Sequence, residues 1–64
     1  MTAKILKAIE KAVGQQCGKA SFDRSARDWR ITGVFASDIS AIMAELTKIG
    51  LYRKRSSIGF YVSK

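Results

Sequence analysis

A run of three cations in the last quarter of the sequence is the feature that most suggests a chemistry. Arg53, Lys54 and Arg55 are adjacent, and Ser56 and Ser57 follow them directly. Guanidinium, ammonium and hydroxyl groups all donate hydrogen bonds to phosphate oxygens. A phosphate backbone favours clustered cations, because each phosphate that they neutralise releases a condensed counterion. The run therefore predicts contact with a polyanion.

A helix predicted just before this run has small side chains on its outward face. Ser37 is a good N-cap, apolar residues recur at helical spacing from Ile39 to Ile49, and Gly50 is the expected C′ glycine. A solvated helix usually carries long polar residues on its outer side, whereas small ones let its axis approach a surface such as a DNA major groove. The outward residues are Ser37, Ser40, Ala41, Ala44, Thr47 and Lys48.

Composition excludes most catalytic chemistry. The 64 residues include no His and a single Cys, and the five acidic residues follow no motif. No spacing pairs a nucleophile with a base, and too few ligands are present for a His or Cys metal site. We therefore expect no enzyme, no metal and no cofactor. The lone thiol, the lack of a signal-peptide pattern and the lack of a membrane-spanning run predict a cytoplasmic location, on the nucleoid if the source is bacterial or phage.

The charge balance points to an anionic partner. Twelve Lys and Arg against five Asp and Glu give a net charge of +7. Such a balance is typical of proteins that bind nucleic acid or an anionic membrane face, although excess charge also keeps a small protein soluble. The length permits one domain, and the 47% apolar share is sufficient for a compact fold.

Two further elements precede the small-faced helix. Residues 2–13 predict an amphipathic helix whose apolar stripe includes Ile5 and Ile9. We interpret the three lysines on its far side as an ordinary solvated face. Those lysines are Lys4, Lys7 and Lys11.

The segment from Lys19 to Ile31 predicts a second, shorter helix that runs to about Arg30. Ser21 or Asp23 would cap it. Its apolar residues, spaced four and three apart, would face the core, and three arginines would lie along the opposite side. The apolar residues are Phe22, Ala26 and Trp29, and the arginines are Arg24, Arg27 and Arg30.

The C-terminal segment predicts a β-hairpin. Two stretches rich in β-formers, residues 51–55 and 60–62, flank a polar connection that ends at Gly59. Alternation along the first strand sends Arg53 and Arg55 to one face and Lys54 to the other.

This order of elements resembles the winged helix-turn-helix family. The residues that carry the resemblance are Ser37 to Arg53, with Gly50 after the helix, and the closing Gly59-Phe60-Tyr61-Val62. The resemblance implies an α+β fold for residues 1–64, a small winged helix-turn-helix with three helices followed by a C-terminal β-hairpin wing. It also implies that the third helix enters the major groove and that the wing contacts the backbone or the minor groove.

Carried over to this sequence, the resemblance implies three sets of DNA contacts. The recognition helix supplies Ser37, Ser40, Ala41, Ala44 and Lys48, the wing supplies Arg53, Lys54, Arg55, Ser56 and Ser57, and the supporting helix supplies Arg24 and Arg27 as phosphate contacts. The recognition face lacks the Arg, Asn and Gln that read bases with two hydrogen bonds. This departure weakens sequence-specific recognition more than DNA binding itself.

The leading hypothesis is a small double-stranded-DNA-binding protein, monomeric or weakly dimeric. It would serve as a transcriptional regulator or as an accessory factor of a phage or mobile element. One alternative is a protein-interaction module, because Asp38 and Glu45 flank the small-residue face. Another is an RNA-binding protein, because Tyr52 or Tyr61 could stack on unpaired bases.

Overall fold

A computed structural model of the chain describes residues 1–55 and 59–64. Two helices pack together on one face of an antiparallel four-stranded sheet whose strand order is β1-β2-β4-β3. Ser56 and Ser57 of the predicted wing lie outside the described residues. The elements are α1 (Thr2–Val13), β1 (Lys19–Asp23), β2 (Asp28–Thr32), a 3₁₀ turn (Ala36–Asp38), α2 (Ile39–Lys48), β3 (Tyr52–Arg53) and β4 (Phe60–Ser63).

The α+β class is confirmed, but the winged helix-turn-helix architecture is wrong. Across residues 1–55 and 59–64 the chain forms two α-helices and four strands, not three helices followed by a hairpin wing. The predicted C-terminal hairpin exists, since β3 and β4 pair antiparallel. It is half of a continuous sheet rather than a separate wing.

The segment predicted to form a second helix instead forms a β-hairpin of β1 and β2. Phe22 and Trp29, which a helix would place on one face, are cross-strand partners with their rings edge to face at 5.0 Å. The Asp23 carboxylate accepts a hydrogen bond from the Ser25 amide at 2.9 Å. An N-cap makes the same kind of bond, so Asp23 suited either structure. Arg27, with a φ of +56°, completes the turn.

The core lies between the helices and the inner face of the sheet. The first helix has the predicted bounds, Thr2–Val13, and buries Ile5 and Ile9. Burying such a side chain contributes about 1.5–3 kcal/mol. In the part of the chain that the structure describes, eight buried apolar residues come from both helices, the segment after α2, and strands β2 and β4. They are Ile5, Ile9, Ile31, Ile42, Leu46, Leu51, Phe60 and Val62.

Helix α2 begins later than the sequence suggests. Ser37, the predicted N-cap, lies inside the 3₁₀ turn, and the cap position is occupied by Asp38. Neither helical element has a side-chain cap hydrogen bond at this end. The 3₁₀ turn takes up the first predicted turn of the helix, so α2 proper begins at Ile39.

The C-terminal end of α2 is closed by the predicted glycine. Gly50 has a φ of +84°. Its amide donates to the Thr47 carbonyl at 3.1 Å, and the Leu51 amide donates to the Leu46 carbonyl at 3.1 Å. These two bonds form a Schellman motif, and the buried Leu51 anchors it. The reversal leads the chain straight into β3, so Arg53 lies next to the last turns of α2.

Candidate nucleic-acid interface

The last two turns of α2 and the strand that follows form the walls of an open surface groove. The close Schellman reversal places these walls side by side. The groove therefore joins the small-faced helix and the cationic run, the two features that the sequence singled out. The residues that line it are Met43, Thr47, Tyr52, Arg53, Lys54 and Arg55.

The Arg53 guanidinium lies on the helix side of the sheet, at its edge. Arg53 is the cross-strand partner of Val62, whose side chain is buried in the core. The guanidinium carbon lies 5.4 Å from the centroid of the Phe60 ring, within cation–π range. This contact holds the Arg53 side chain against the sheet edge, and its guanidinium forms no salt bridge with residues 1–55 and 59–64.

Lys54 turns to the other face of the sheet, as alternation predicts. Its amide donates to the Tyr61 carbonyl at 2.9 Å, and its ammonium lies 3.3 Å from Oδ2 of Asp28. Asp28 is fully buried, and neither of its carboxylate oxygens has a hydrogen bond with the described residues. The Lys54 ammonium is close enough to the Asp28 carboxylate for a salt bridge but is not oriented for a hydrogen bond, so the attraction between them is Coulombic. Lys54 is therefore chiefly the counter-ion of a buried carboxylate.

All the predicted recognition residues are exposed. Ser37 belongs to the 3₁₀ turn, and the other four lie on the surface of α2, opposite the buried Ile42 and Leu46. Their accessibility agrees with the sequence analysis, and their contact with DNA stays a prediction. The four residues on α2 are Ser40, Ala41, Ala44 and Lys48.

Glu45 forms an ion-pair cluster that links the two helices. Its carboxylate accepts a hydrogen bond from the Lys48 ammonium at 2.9 Å and lies 3.5 Å from the Lys11 ammonium of α1. The hydrogen bond from Lys48, assisted by the charges of Lys11 and Lys48, lowers the pKa of Glu45. The pair with Lys48 is local in sequence, whereas the pair with Lys11 arises only when the helices pack.

Replacing Glu45 by Gln should remove one pH-dependent contribution to the free energy of unfolding. Because folding lowers the pKa of Glu45 below its ordinary 4.5, the carboxylate stabilises the fold above that pH. This stabilisation is lost as the pH falls through the lowered pKa. Urea unfolding at pH 7 and pH 3 checks the sign: Glu45→Gln should be less stable than the original chain at pH 7, and the difference in free energy of unfolding should be smaller at pH 3. An equal gap at both pH values contradicts it.

Arg24 and Arg27 are not among the residues that line the groove. Both belong to the turn between β1 and β2, and the helix that was predicted to carry them is wrong. In the sheet order, β1 and β3 are opposite edges. The pairing of Trp29 with Val62, and of Arg53 with Val62, puts this turn at the opposite end of the sheet from Arg55. The structure therefore brings Arg53 and Arg55 together with α2 and leaves Arg24 and Arg27 outside.

Neither helix covers the outer face of the sheet, and this face combines cations with tyrosines. Arg30 and Tyr61 are cross-strand partners there, and Lys54, just after β3, lies next to Tyr61. Tyr52, two residues before Lys54, is 58% exposed. Lys19 at the start of β1 also lies on this face, as do Asp23 and Asp28.

Other kinds of site are not found in the described part of the chain. No group of three or more Cys, Asp or Glu side chains could hold a metal ion in residues 1–55 and 59–64. Within the same ranges, neither helix has the length and apolar character needed to cross a membrane.

The chain matches no protein-family model, and no curated protein and no solved structure matches it significantly.

Proposed function

We propose that the chain binds duplex DNA through α2 and the adjoining groove. The observation that carries the proposal is that Arg53 and Arg55 line the same groove as Thr47 of α2. The outward face of α2 is small enough to enter a major groove, and the two guanidiniums beside it are placed to bind the phosphates at its rim. We further propose that this binding serves transcriptional regulation or an accessory role in the cytoplasm, on the nucleoid if the source is bacterial or phage.

The distribution of ion pairs supports a polyanionic partner. Among the described residues, Glu45 and Asp28 take part in salt bridges, and their cationic partners are all lysines. The five arginines form no salt bridge with that part of the chain, so their charges are available to a ligand. Guanidinium is also the better group for binding two phosphate oxygens at once. The arginines are Arg24, Arg27, Arg30, Arg53 and Arg55.

A salt titration tests the proposal. Filter binding of the full chain to duplex DNA between 50 and 200 mM salt should give a straight line of log K against log salt concentration. About six neutralised phosphates predict a slope near −5. A single strand of the same length serves as the comparison and should bind more weakly. No measurable affinity for the duplex, or affinity independent of salt, contradicts the proposal.

Single-stranded RNA is a second candidate, favoured by the outer face of the sheet. Tyr52 and Tyr61 offer rings on which unpaired bases stack, and Arg30 and Lys19 supply charge beside them. This candidate predicts tighter binding to single strands than to duplex DNA. It also predicts that Tyr52→Ala weakens single-strand binding, since stacking contributes about 1–3 kcal/mol per base. Preference for the duplex, with Tyr52→Ala unchanged, removes it.

A further inference from the structure

A second groove lies on the other flank of α2, between α2 and α1. It is lined by four lysines, Lys4, Lys7, Lys11 and Lys48, together with Glu45 and Ile49. Glu45 is the one acidic residue among these lining residues, so they leave a net charge of +3. Because the first groove flanks α2 on the β3 side, the outward face of α2 lies between two cationic grooves.

The α1 lysines form a row on the side of α1 that borders this groove. Ile5 and Ile9 turn into the core, and the 3.5 Å contact between Lys11 and Glu45 fixes the side of α1 that meets α2. Lys4 and Lys11 are seven residues apart, which is about 10 Å along a helix axis. Successive phosphates of one DNA strand advance by about 3.4 Å along the duplex, so the row spans about three of them.

The charge pattern of α1 differs from that of an ordinary solvated helix. Such a helix usually alternates acids with lysines three or four residues apart, because those pairs stabilise it. α1 has one acidic residue against its three lysines: Glu10 lies three residues from Lys7, and both line a separate depression with Leu6 and Cys17. Lys4 and Lys7 form no ion pair with the described residues, so the row keeps an excess of positive charge.

We infer that the α1 lysines are a second row of phosphate contacts, so that α2 enters the major groove with one DNA strand on each side. Arg53 and Arg55 contact one strand, and Lys4, Lys7 and Lys11 contact the other. Packed helices lie about 8–10 Å apart, and a DNA major groove is about 12 Å wide. Long cationic side chains on both flanks of α2 can therefore reach the phosphates at the two edges of the major groove. This inference rests on the proposed function and adds to it the second contact surface.

A matched pair of double variants of the full chain tests the inference. Lys4→Gln with Lys7→Gln removes two charges from the row, and Lys19→Gln with Lys64→Gln removes two exposed charges elsewhere. With duplex DNA, the first pair should make the slope of log K against log salt less steep by about 2, since each lost contact changes it by about 0.9. The second pair should leave the slope within about 0.5 of the original. Circular dichroism verifies that both variants fold.

The outcomes separate this inference from the proposed function. If the original chain does not bind duplex DNA, both fail. If it binds, and the two double variants change the slope equally, the α1 lysines act only through net charge and the second row is wrong, whereas the first groove is decided by its own variants at Arg53 and Arg55.

A gain of binding supplies an independent test. Glu45→Gln removes the anion between the two rows and frees Lys11 and Lys48, so duplex affinity should rise about 3- to 10-fold at low salt. Unchanged or weaker binding contradicts the inference.

Discussion

Replacing Arg53 and Arg55 together by Gln is expected to weaken duplex-DNA binding about 30-fold near 0.1 M salt. Two charge-assisted phosphate contacts of roughly 1 kcal/mol each give that change. The slope of log K against log salt concentration should also become less steep by about 2. Filter binding across salt concentrations measures both quantities. These two arginines are chosen over Lys54 because Lys54 is the counter-ion of the buried Asp28, and its loss would disturb the fold.

The matched control is Arg24→Gln with Arg27→Gln, which removes the same charge outside the groove, in the turn between β1 and β2. This control should retain affinity within about 3-fold of the original, because only long-range attraction is lost. The single variant Arg55→Gln separates binding from stability, since Arg53 also contacts the Phe60 ring. Equal losses for the two double variants would mean that no particular surface is used.

Placing a carboxylate on the outward face of α2 should have the second large effect. Ala44 is exposed, so both Glu and Gln fit there without disturbing the core, and both are good helix formers. Ala44→Glu should bind duplex DNA at least about 10-fold more weakly than Ala44→Gln, because a carboxylate facing phosphates costs more than 1 kcal/mol. Fluorescence anisotropy with labelled duplex at 50 mM salt measures the ratio.

The same pair of variants separates DNA from a protein partner. A helix or loop packed on the small face would be displaced by the size of either side chain, so Glu and Gln would disrupt it alike. Phe35, 76% exposed before the 3₁₀ turn, is the apolar anchor that such a partner would use. Equal effects of Ala44→Glu and Ala44→Gln, together with loss of the interaction in Phe35→Ala, would favour the protein-interaction module.

The first helix and the end of α2 could be predicted from the sequence because local rules decide them. Continuous apolar periodicity fixes Thr2–Val13, and Gly50 supplies the left-handed conformation that closes α2. The C-terminal hairpin was also predicted, because Phe60, Tyr61 and Val62 are strong β-formers.

The segment from Lys19 to Thr32 shows where local rules fail. The spacing of Phe22 and Trp29 satisfies a helix, and it also satisfies a hairpin with a four-residue turn. Pairing of β2 with β4 decides between them, and that contact joins residues about thirty positions apart. The misassigned helix then placed Arg24 and Arg27 beside the site.

The sequence singled out the residues of α2 and β3 in the candidate site, but not the groove between α2 and α1. Proximity of Arg53 to α2 follows from the short reversal at Gly50, so the sequence could suggest it. The Asp28–Lys54 and Lys11–Glu45 salt bridges join separate elements, so no spacing in the sequence predicts them. The sequence analysis therefore interpreted the α1 lysines as a solvated face, and only the packing of the two helices places them in a groove beside α2.

The most direct test of the account is the set of backbone amide chemical-shift changes in the isotope-labelled full chain on addition of duplex DNA. The account predicts that the largest changes fall on α2 and the adjoining groove, at Ser40, Ala44, Thr47, Arg53 and Arg55, with smaller ones along Lys4 to Lys11. It predicts little change in the turn that holds Arg24 and Arg27. Changes confined to the outer face of the sheet, around Arg30 and Tyr61, or no changes at all, would contradict it.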